Sequence, residues 1–72
     1  MNYYATGNGG SGTQIYAFRS KKERDYFVAW AEGYDCRRAV NRDAARRYGP
    51  FATMLVAGQI VPDGYGPKTI EI

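Results

Sequence analysis

The chain has no histidine and a single cysteine, Cys36. Without histidine it lacks the commonest general base, the commonest zinc ligand and any catalytic triad built on an imidazole. One cysteine cannot form an internal disulfide, and small secreted domains usually carry several cysteines. The chain also has no apolar run of the roughly 18 residues that a membrane span needs, and no signal-peptide pattern. We therefore expect a cytoplasmic protein that does not enter membranes.

Residues that could carry catalysis are also scarce. The seven acidic residues occur singly, without the spacing of an acid–base pair or a metal cage. Ser20 fits a helix cap, Ser11 lies among glycines, and Cys36 has no histidine or second cysteine to activate it. We predict that the protein is not an enzyme and that it uses no cofactor and no metal.

The 72 residues are enough for one small domain, residues 1–72. A chain of this length buries only about 60% of the surface that its unfolded form exposes, so its stability is thin. Eleven aromatic residues partly offset the small size, since each buried ring removes roughly 150–250 Å² from water.

The best-defined element is a helix over residues 20–33. Ser20 and Glu23 have the spacing of a capping box, and Gly33 is suited to end the helix. Aromatic residues recur at helical spacing around the single tryptophan, Trp30, together with Phe27. The pattern predicts that this aromatic stripe faces inward, onto the rest of the fold.

A β-hairpin is predicted before that helix, with strands at residues 2–6 and 13–19. The glycine-rich segment 7–12 between them reads as its loop. The same segment spells G-x-G-x-x-G, but a nucleotide-binding loop of that type opens a helix, and here a strand follows. We interpret the glycines as turn residues.

The second half predicts short elements. A third strand is expected at 36–40, followed by a helix at 42–48 with Asn41 as its N-cap and an Asp43–Arg47 pair along it. Residues 51–61 fit either a short apolar helix or a buried strand, and 68–72 alternate as a closing strand. The fold class is therefore α+β: an N-terminal hairpin packed against a central amphipathic helix, then a short strand, one or two short helices and a C-terminal strand.

The net charge is +3, and nine of the ten basic residues lie between Arg19 and Arg47. A basic segment of this kind favours an anionic partner, either an acidic protein surface or nucleic acid, although a solvated helix face is an equal alternative. Arginine and tyrosine dominate the energetics of protein interfaces. The candidate partner-binding residues are Arg37, Arg38, Arg42, Arg46, Arg47 and Tyr48.

Nucleic-acid binding is the main alternative, because arginine is also the preferred phosphate binder. Residues 42–55 resemble a helix-turn-helix, but the segment that would enter the major groove is apolar, with only Thr53 able to read a base edge. Tyr4, Tyr16 and Phe18 could instead form a base-stacking platform on the hairpin, or pack beneath the central helix. A self-associating assembly protein, such as a homodimer, is a third alternative.

Two segments of the first half, NYYAT at 2–6 and IYAFRSKKERD at 15–25, resemble small proteins of phages and mobile elements. Compact phage proteins of this size include the anti-CRISPR proteins, which block host nuclease complexes by binding them. The resemblance implies a non-enzymatic protein that inhibits or modulates a host complex, such as a CRISPR–Cas complex, by direct binding. Many anti-CRISPR proteins are acidic DNA mimics, so a basic chain would instead bind an acidic protein face or a guide RNA.

Overall fold

The computed structural model describes residues 2–9, 12–30, 36–55 and 68–72. Its elements, in chain order, are β1 (Tyr3–Gly9), β2 (Gly12–Phe18), α1 (Lys21–Ala29), β3 (Arg38–Val40), α2 (Arg42–Tyr48), β4 (Phe51–Met54) and β5 (Lys68–Glu71). The predicted α+β fold class is confirmed, including the N-terminal hairpin and the C-terminal strand.

The five strands form one mixed sheet in the order β3-β1-β2-β4-β5. β1 pairs antiparallel with β2 on one side and with β3 on the other. β2 pairs parallel with β4, and β4 pairs antiparallel with β5. β2, β3 and β4 therefore run in the same direction, and each helix is the crossover between two of them.

The two helices lie on opposite faces of this sheet. The chain moves from β2 to the edge strand β3 through α1, and then back across β1 and β2 to β4 through α2. Because parallel crossovers share one handedness, two crossovers in opposite directions place their helices on opposite faces. The sheet is thus the middle layer, with α1 on one side and α2 on the other.

The hairpin is tighter than predicted. The strands do not stop at residues 6 and 13 but remain paired to the end, where Gly9 faces Gly12. Gly7 and Asn8, expected in the loop, belong to β1. Gly12 has φ +124°, a conformation that residues with a side chain rarely adopt, so the glycine requirement at this end of the hairpin is real.

The start of α1 is as predicted, but its end is not. Ser20 Oγ accepts the Glu23 N–H at 3.2 Å, which forms one half of the capping box. Glu23 Oε2 is buried without a hydrogen-bond partner, so that oxygen does not complete the reciprocal half. The helix ends at Ala29 with Trp30 as its C-cap, and the predicted terminator Gly33 lies outside the described residues.

The expectation that Trp30 faces inward is wrong. Its side chain is 60% exposed, and its ring instead lies 5.7 Å from that of Tyr26, which is 61% exposed. The half-buried residues of α1 are Glu23, Arg24, Phe27 and Val28, so the helix is rotated away from the tryptophan. The reason is that the Phe27 ring occupies the contact between α1 and the sheet. Its centroid lies 5.0 Å from that of the Tyr16 ring and 5.1 Å from that of the Phe18 ring.

The main core lies between the sheet and α2. Asn41 Oδ1 accepts the Ala44 N–H at 2.8 Å, which confirms the predicted N-cap and helix bounds. Ala45, fully buried, faces a cluster of sheet residues formed by Tyr4, Ile15, Ala17, Ala52 and Ile72. Small side chains at the centre of this cluster let α2 approach the sheet closely.

The ambiguous run at 51–61 begins as a strand. β4 covers Phe51–Met54, so the short helix considered for its first residues is wrong, and residues 56–61 lie outside the described part of the chain. Parallel pairing with β2, through Tyr16 to Thr53 and Ala17 to Met54, decides the conformation. A strand is therefore the correct alternative for residues 51–54, and only Ala52 among them is buried.

Candidate functional site

The six candidate partner-binding residues divide into two groups. Arg38 is in β3, and four others, Arg42, Arg46, Arg47 and Tyr48, are in α2; all five are exposed. Arg37 is only half-exposed and makes specific contacts inside the fold.

Arg37 holds the end of α1. Its Nη1 donates to the Phe27 carbonyl at 3.0 Å, and its guanidinium carbon lies 4.1 Å from the centre of the Phe27 ring. Phe27 lies in the last turn of α1, where carbonyls have no partner within the helix and where a cation is favoured. Because α1 has no basic residue in its own last turn, Arg37 supplies that charge from outside the helix.

The other four arginines form what we call the arginine face: Arg38, Arg42, Arg46 and Arg47. Arg42 and Arg46 are one helical turn apart on α2 and are therefore neighbours. Arg38 is paired with Thr6 and lies on the face of the sheet that α2 covers. Together with the exposed Asp43 on the same helix, these four arginines give this side of the molecule a predominantly positive charge.

The arginine face has no acidic partners within the described residues. Both ion pairs between described residues involve Asp25, which lies 3.6 Å from Lys21 and 2.8 Å from Arg24, on α1. The predicted pair between Asp43 and Arg47 is not among them. Within the described part of the chain, no ion pair has to be broken before these four guanidinium groups bind a ligand.

Two exposed aromatic residues follow these arginines in the chain, one at the end of α2 and one at the start of β4. Tyr48, the last residue of α2, is 58% exposed, and Phe51, at the start of β4, is 57% exposed. The sequence identified Tyr48 but assigned Phe51 to a helix or a buried strand. Thr53 pairs with Tyr16, whose ring packs against α1, so Phe51 lies on the α1 face of the sheet and only Tyr48 shares an element with the arginines.

A groove opens at the Arg42 end of α2. Its volume is about 610 Å³, and its lining comes from parts of the chain that are far apart in sequence: Asn2, Tyr3, Tyr4, Arg24, Val40, Asn41, Arg42, Glu71 and Ile72. Of these residues, the sequence had identified Arg42 as a candidate partner-binding residue and Tyr4 as part of the alternative base-stacking platform. The others carry no local pattern that marks a site, since only the order of the strands brings them together.

The walls of the groove are held by hydrogen bonds. Arg24 donates to the Tyr4 carbonyl at 3.5 Å and to Asp25 Oδ1 at 2.8 Å, and its guanidinium carbon lies 5.6 Å from the Tyr3 ring centre. The bond from Arg24, with smaller contributions from the charges of Arg24 and Lys21, keeps the pKa of Asp25 below its usual value of 3.8, despite a weaker opposing effect of desolvation. Arg24 is therefore already paired, whereas Arg42 has no ion pair with any other described residue.

The two nucleic-acid arrangements are not formed. Tyr4 lies on the opposite face of the sheet from Tyr16 and Phe18, because it is paired with Ala17 in the register, so the three rings cannot form one platform. Tyr4 and Phe18 are also buried, and the Tyr16 and Phe18 rings pack against α1. In place of a recognition helix after α2 there is the strand β4.

Within the described ranges the structure has no cluster of three or more histidine, cysteine, aspartate or glutamate side chains that could hold a metal ion. Cys36 is exposed as a free thiol. The longer described helix, α1, has nine residues, and neither described helix has the length and apolarity to span a membrane.

The chain was compared with known proteins at three levels. No protein-family model, no curated protein and no solved structure matches it.

Proposed function

We propose that this protein is a non-enzymatic binding module that attaches to an acidic surface of a host protein or ribonucleoprotein complex and inhibits or modulates that complex. The partner would contact the arginine face and Tyr48. The observation that carries the proposal is the exposure of Arg38, Arg42, Arg46 and Arg47 without acidic partners among the described residues.

Energetics favour such a contact. Each exposed arginine that already holds a carboxylate must exchange it before it binds a ligand, and among the described residues these four hold none. Arginine also offers five N–H donors in a planar fork that matches a carboxylate. Charges at the rim of an interface mainly raise the association rate. Aromatic residues that become buried against a partner supply affinity, and Tyr48, which is exposed in the free chain, is the candidate for that role.

The kind of partner is supported by two features. The exposed ring of Tyr48 on α2, the helix that carries Arg42, Arg46 and Arg47, suits a protein surface, which buries apolar area, more than a phosphate backbone. The likeness of residues 2–6 and 15–25 to small proteins of phages and mobile elements supports a host complex, including a CRISPR–Cas complex, as the target.

The test is affinity capture from a host lysate followed by mass spectrometry. The variant R46E/R47E reverses two charges on the arginine face, and K21E/K22E makes the same charge change on the exposed surface of α1. We expect R46E/R47E to lose the captured partner and K21E/K22E to keep it. Equal loss in both variants would mean that only net charge matters, and equal retention would refute this surface.

Nucleic-acid binding is distinguished from binding to a protein partner by its dependence on salt concentration. Phosphate-driven binding falls log-linearly with salt concentration, with a slope close to the number of phosphates contacted. A gel shift at low salt that depends on Arg46 and Arg47 and follows this law would replace the protein partner by nucleic acid. We expect no such shift with the purified chain.

A further inference from the structure

The groove beside Arg42 is lined by hydrogen-bond donors, by a carboxylate acceptor and by apolar side chains, and this combination restricts the ligands that it can bind. Arg42 and the Asn41 side-chain amide offer hydrogen-bond donors, while Glu71 contributes a carboxylate acceptor to the same lining. Asn41 already uses its Oδ1 to accept the Ala44 N–H, so its NH₂ group is the part that remains for a ligand. Tyr3, Tyr4, Val40 and Ile72 add apolar wall.

The ion pairs of the two arginines in the groove determine where an anion would bind. Arg24 lies 2.8 Å from Asp25 and donates to the Tyr4 carbonyl, so its charge and part of its donor set are already in use. Arg42 has no acidic partner among the described residues. An anionic group would therefore bind next to Arg42 and Asn41.

The ligand must also suit Glu71. A bare phosphate or a phosphodiester offers only acceptors, and Glu71 would repel it. A peptide with an acidic side chain offers a carboxylate for Arg42 and main-chain N–H groups for Glu71 in a single molecule. The apolar walls suit the non-polar parts of such a chain.

We propose that this groove binds an acidic peptide segment of the partner, with an aspartate or glutamate carboxylate beside Arg42 and Asn41 and main-chain N–H groups toward Glu71. This inference rests on the proposed function, because it names the feature of the partner that the chain recognises. The groove would add a specific binding site for one carboxylate to the arginine face, which is otherwise defined only by its charge.

The direct test uses the full chain and a short fluorescein-labelled peptide of alternating glutamate and glycine, followed by fluorescence anisotropy. The same peptide with glutamine in place of glutamate is the charge control. Because hydrogen bonds to charged groups are stronger than neutral ones, we expect the glutamate peptide to bind at least about tenfold more tightly. Equal binding of the two peptides would overturn the proposal.

Arg42→Gln and Arg46→Gln form a matched pair of variants. Both remove one exposed arginine from the same helix, but only Arg42 lines the groove. We expect R42Q to weaken binding of the glutamate peptide about tenfold and R46Q to weaken it less than about threefold. Equal weakening would show diffuse attraction to the arginine face and would overturn the groove.

Asn41→Asp provides a variant that keeps the helix cap. Aspartate caps helices as well as asparagine does, so the fold is retained, but a carboxylate then stands beside Arg42 in place of the ligand's. We expect N41D to unfold at the same denaturant concentration as the original chain, or higher, and to lose peptide binding. Unchanged binding by folded N41D would contradict the proposal.

Two further outcomes separate the groove from the proposed function. If R42Q and N41D leave peptide binding unchanged while R46E/R47E loses its captured partner, the groove proposal fails and the arginine face stands. If peptide binding distinguishes R42Q from R46Q while R46E/R47E still captures the partner, the groove stands and the assignment of Arg46 and Arg47 fails. Inorganic phosphate that competes as well as the glutamate peptide would also overturn recognition of a peptide.

Discussion

The two faces of the sheet are packed by different means. On the α2 side, Ala17 and Ala45 have no exposed surface, and the helix contacts the sheet through small side chains surrounded by larger ones. On the α1 side no residue of the helix is fully buried, and the contact depends on the Phe27 ring and on Arg37 above it.

The difference shows how so short a chain divides its residues. The α2 side contains the close-packed core, so its helix can leave arginines on its outer surface without a structural role. The α1 side has too few apolar residues to bury its helix fully, and it recruits an arginine to help hold the helix. Adjacent residues in the sequence, Arg37 and Arg38, therefore have different tasks.

The largest expected effect comes from crowding the α2 side. Ala45→Leu adds three carbon atoms where the alanine has no exposed surface, and such overpacking costs about 1–3 kcal/mol. The control Ala29→Leu makes the same change at an exposed position of α1 and is expected to alter stability by less than about 0.5 kcal/mol. Urea unfolding measures both, and equal effects would mean that the two sides are packed alike.

An intermediate effect is expected from Arg37 on the α1 side. Arg37→Gln removes the guanidinium from above the Phe27 ring and loses its bond to the Phe27 carbonyl, which we expect to cost about 1–2 kcal/mol. Arg38→Gln, at the exposed neighbouring position, should cost less than about 0.5 kcal/mol. If the two variants unfold at the same urea concentration, Arg37 has no structural role and belongs with the arginine face.

The smallest effect concerns pH and the ion pairs on α1. Because the pKa of Asp25 is lowered in the folded chain, its contribution to stability is complete above its unfolded value of about 3.8 and is lost as the pH falls through the lower folded value. Asp25→Asn should remove this slope and leave the rest of the acid unfolding curve intact. Identical acid curves for D25N and the original chain would show that solvent screens the pair completely.

Local signals in the sequence were enough for several elements. Asn41, the Asp43 position and the following Gly49-Pro50 defined the bounds of α2, because capping and helix termination depend on neighbouring residues. The hairpin and the closing strand were predicted from alternation and glycine content. The concentration of arginines was also visible in the sequence, because Arg37, Arg38, Arg42, Arg46 and Arg47 all lie within residues 37–47.

Other features required contacts between distant residues. Trp30 has the spacing of a core residue, but Phe27 fits against Tyr16 and Phe18, and that contact rotates the helix. The segment at Phe51–Met54 suits either a helix or a strand alone, and its pairing with β2 settles the matter. The groove was not predicted because its lining joins residues from both ends of the chain.

The sequence by itself determined the start of α1, the bounds of α2 and the presence of the hairpin and the closing strand. It also determined that the charge is concentrated in the middle of the chain and that histidine chemistry and an internal disulfide are excluded. The tertiary structure decided the strand order, the face that each helix covers, which aromatic ring is buried and which arginine is tied into the fold. The physical reason is that capping and alternation act over a few neighbouring residues, whereas burial depends on what the rest of the chain places opposite each side chain.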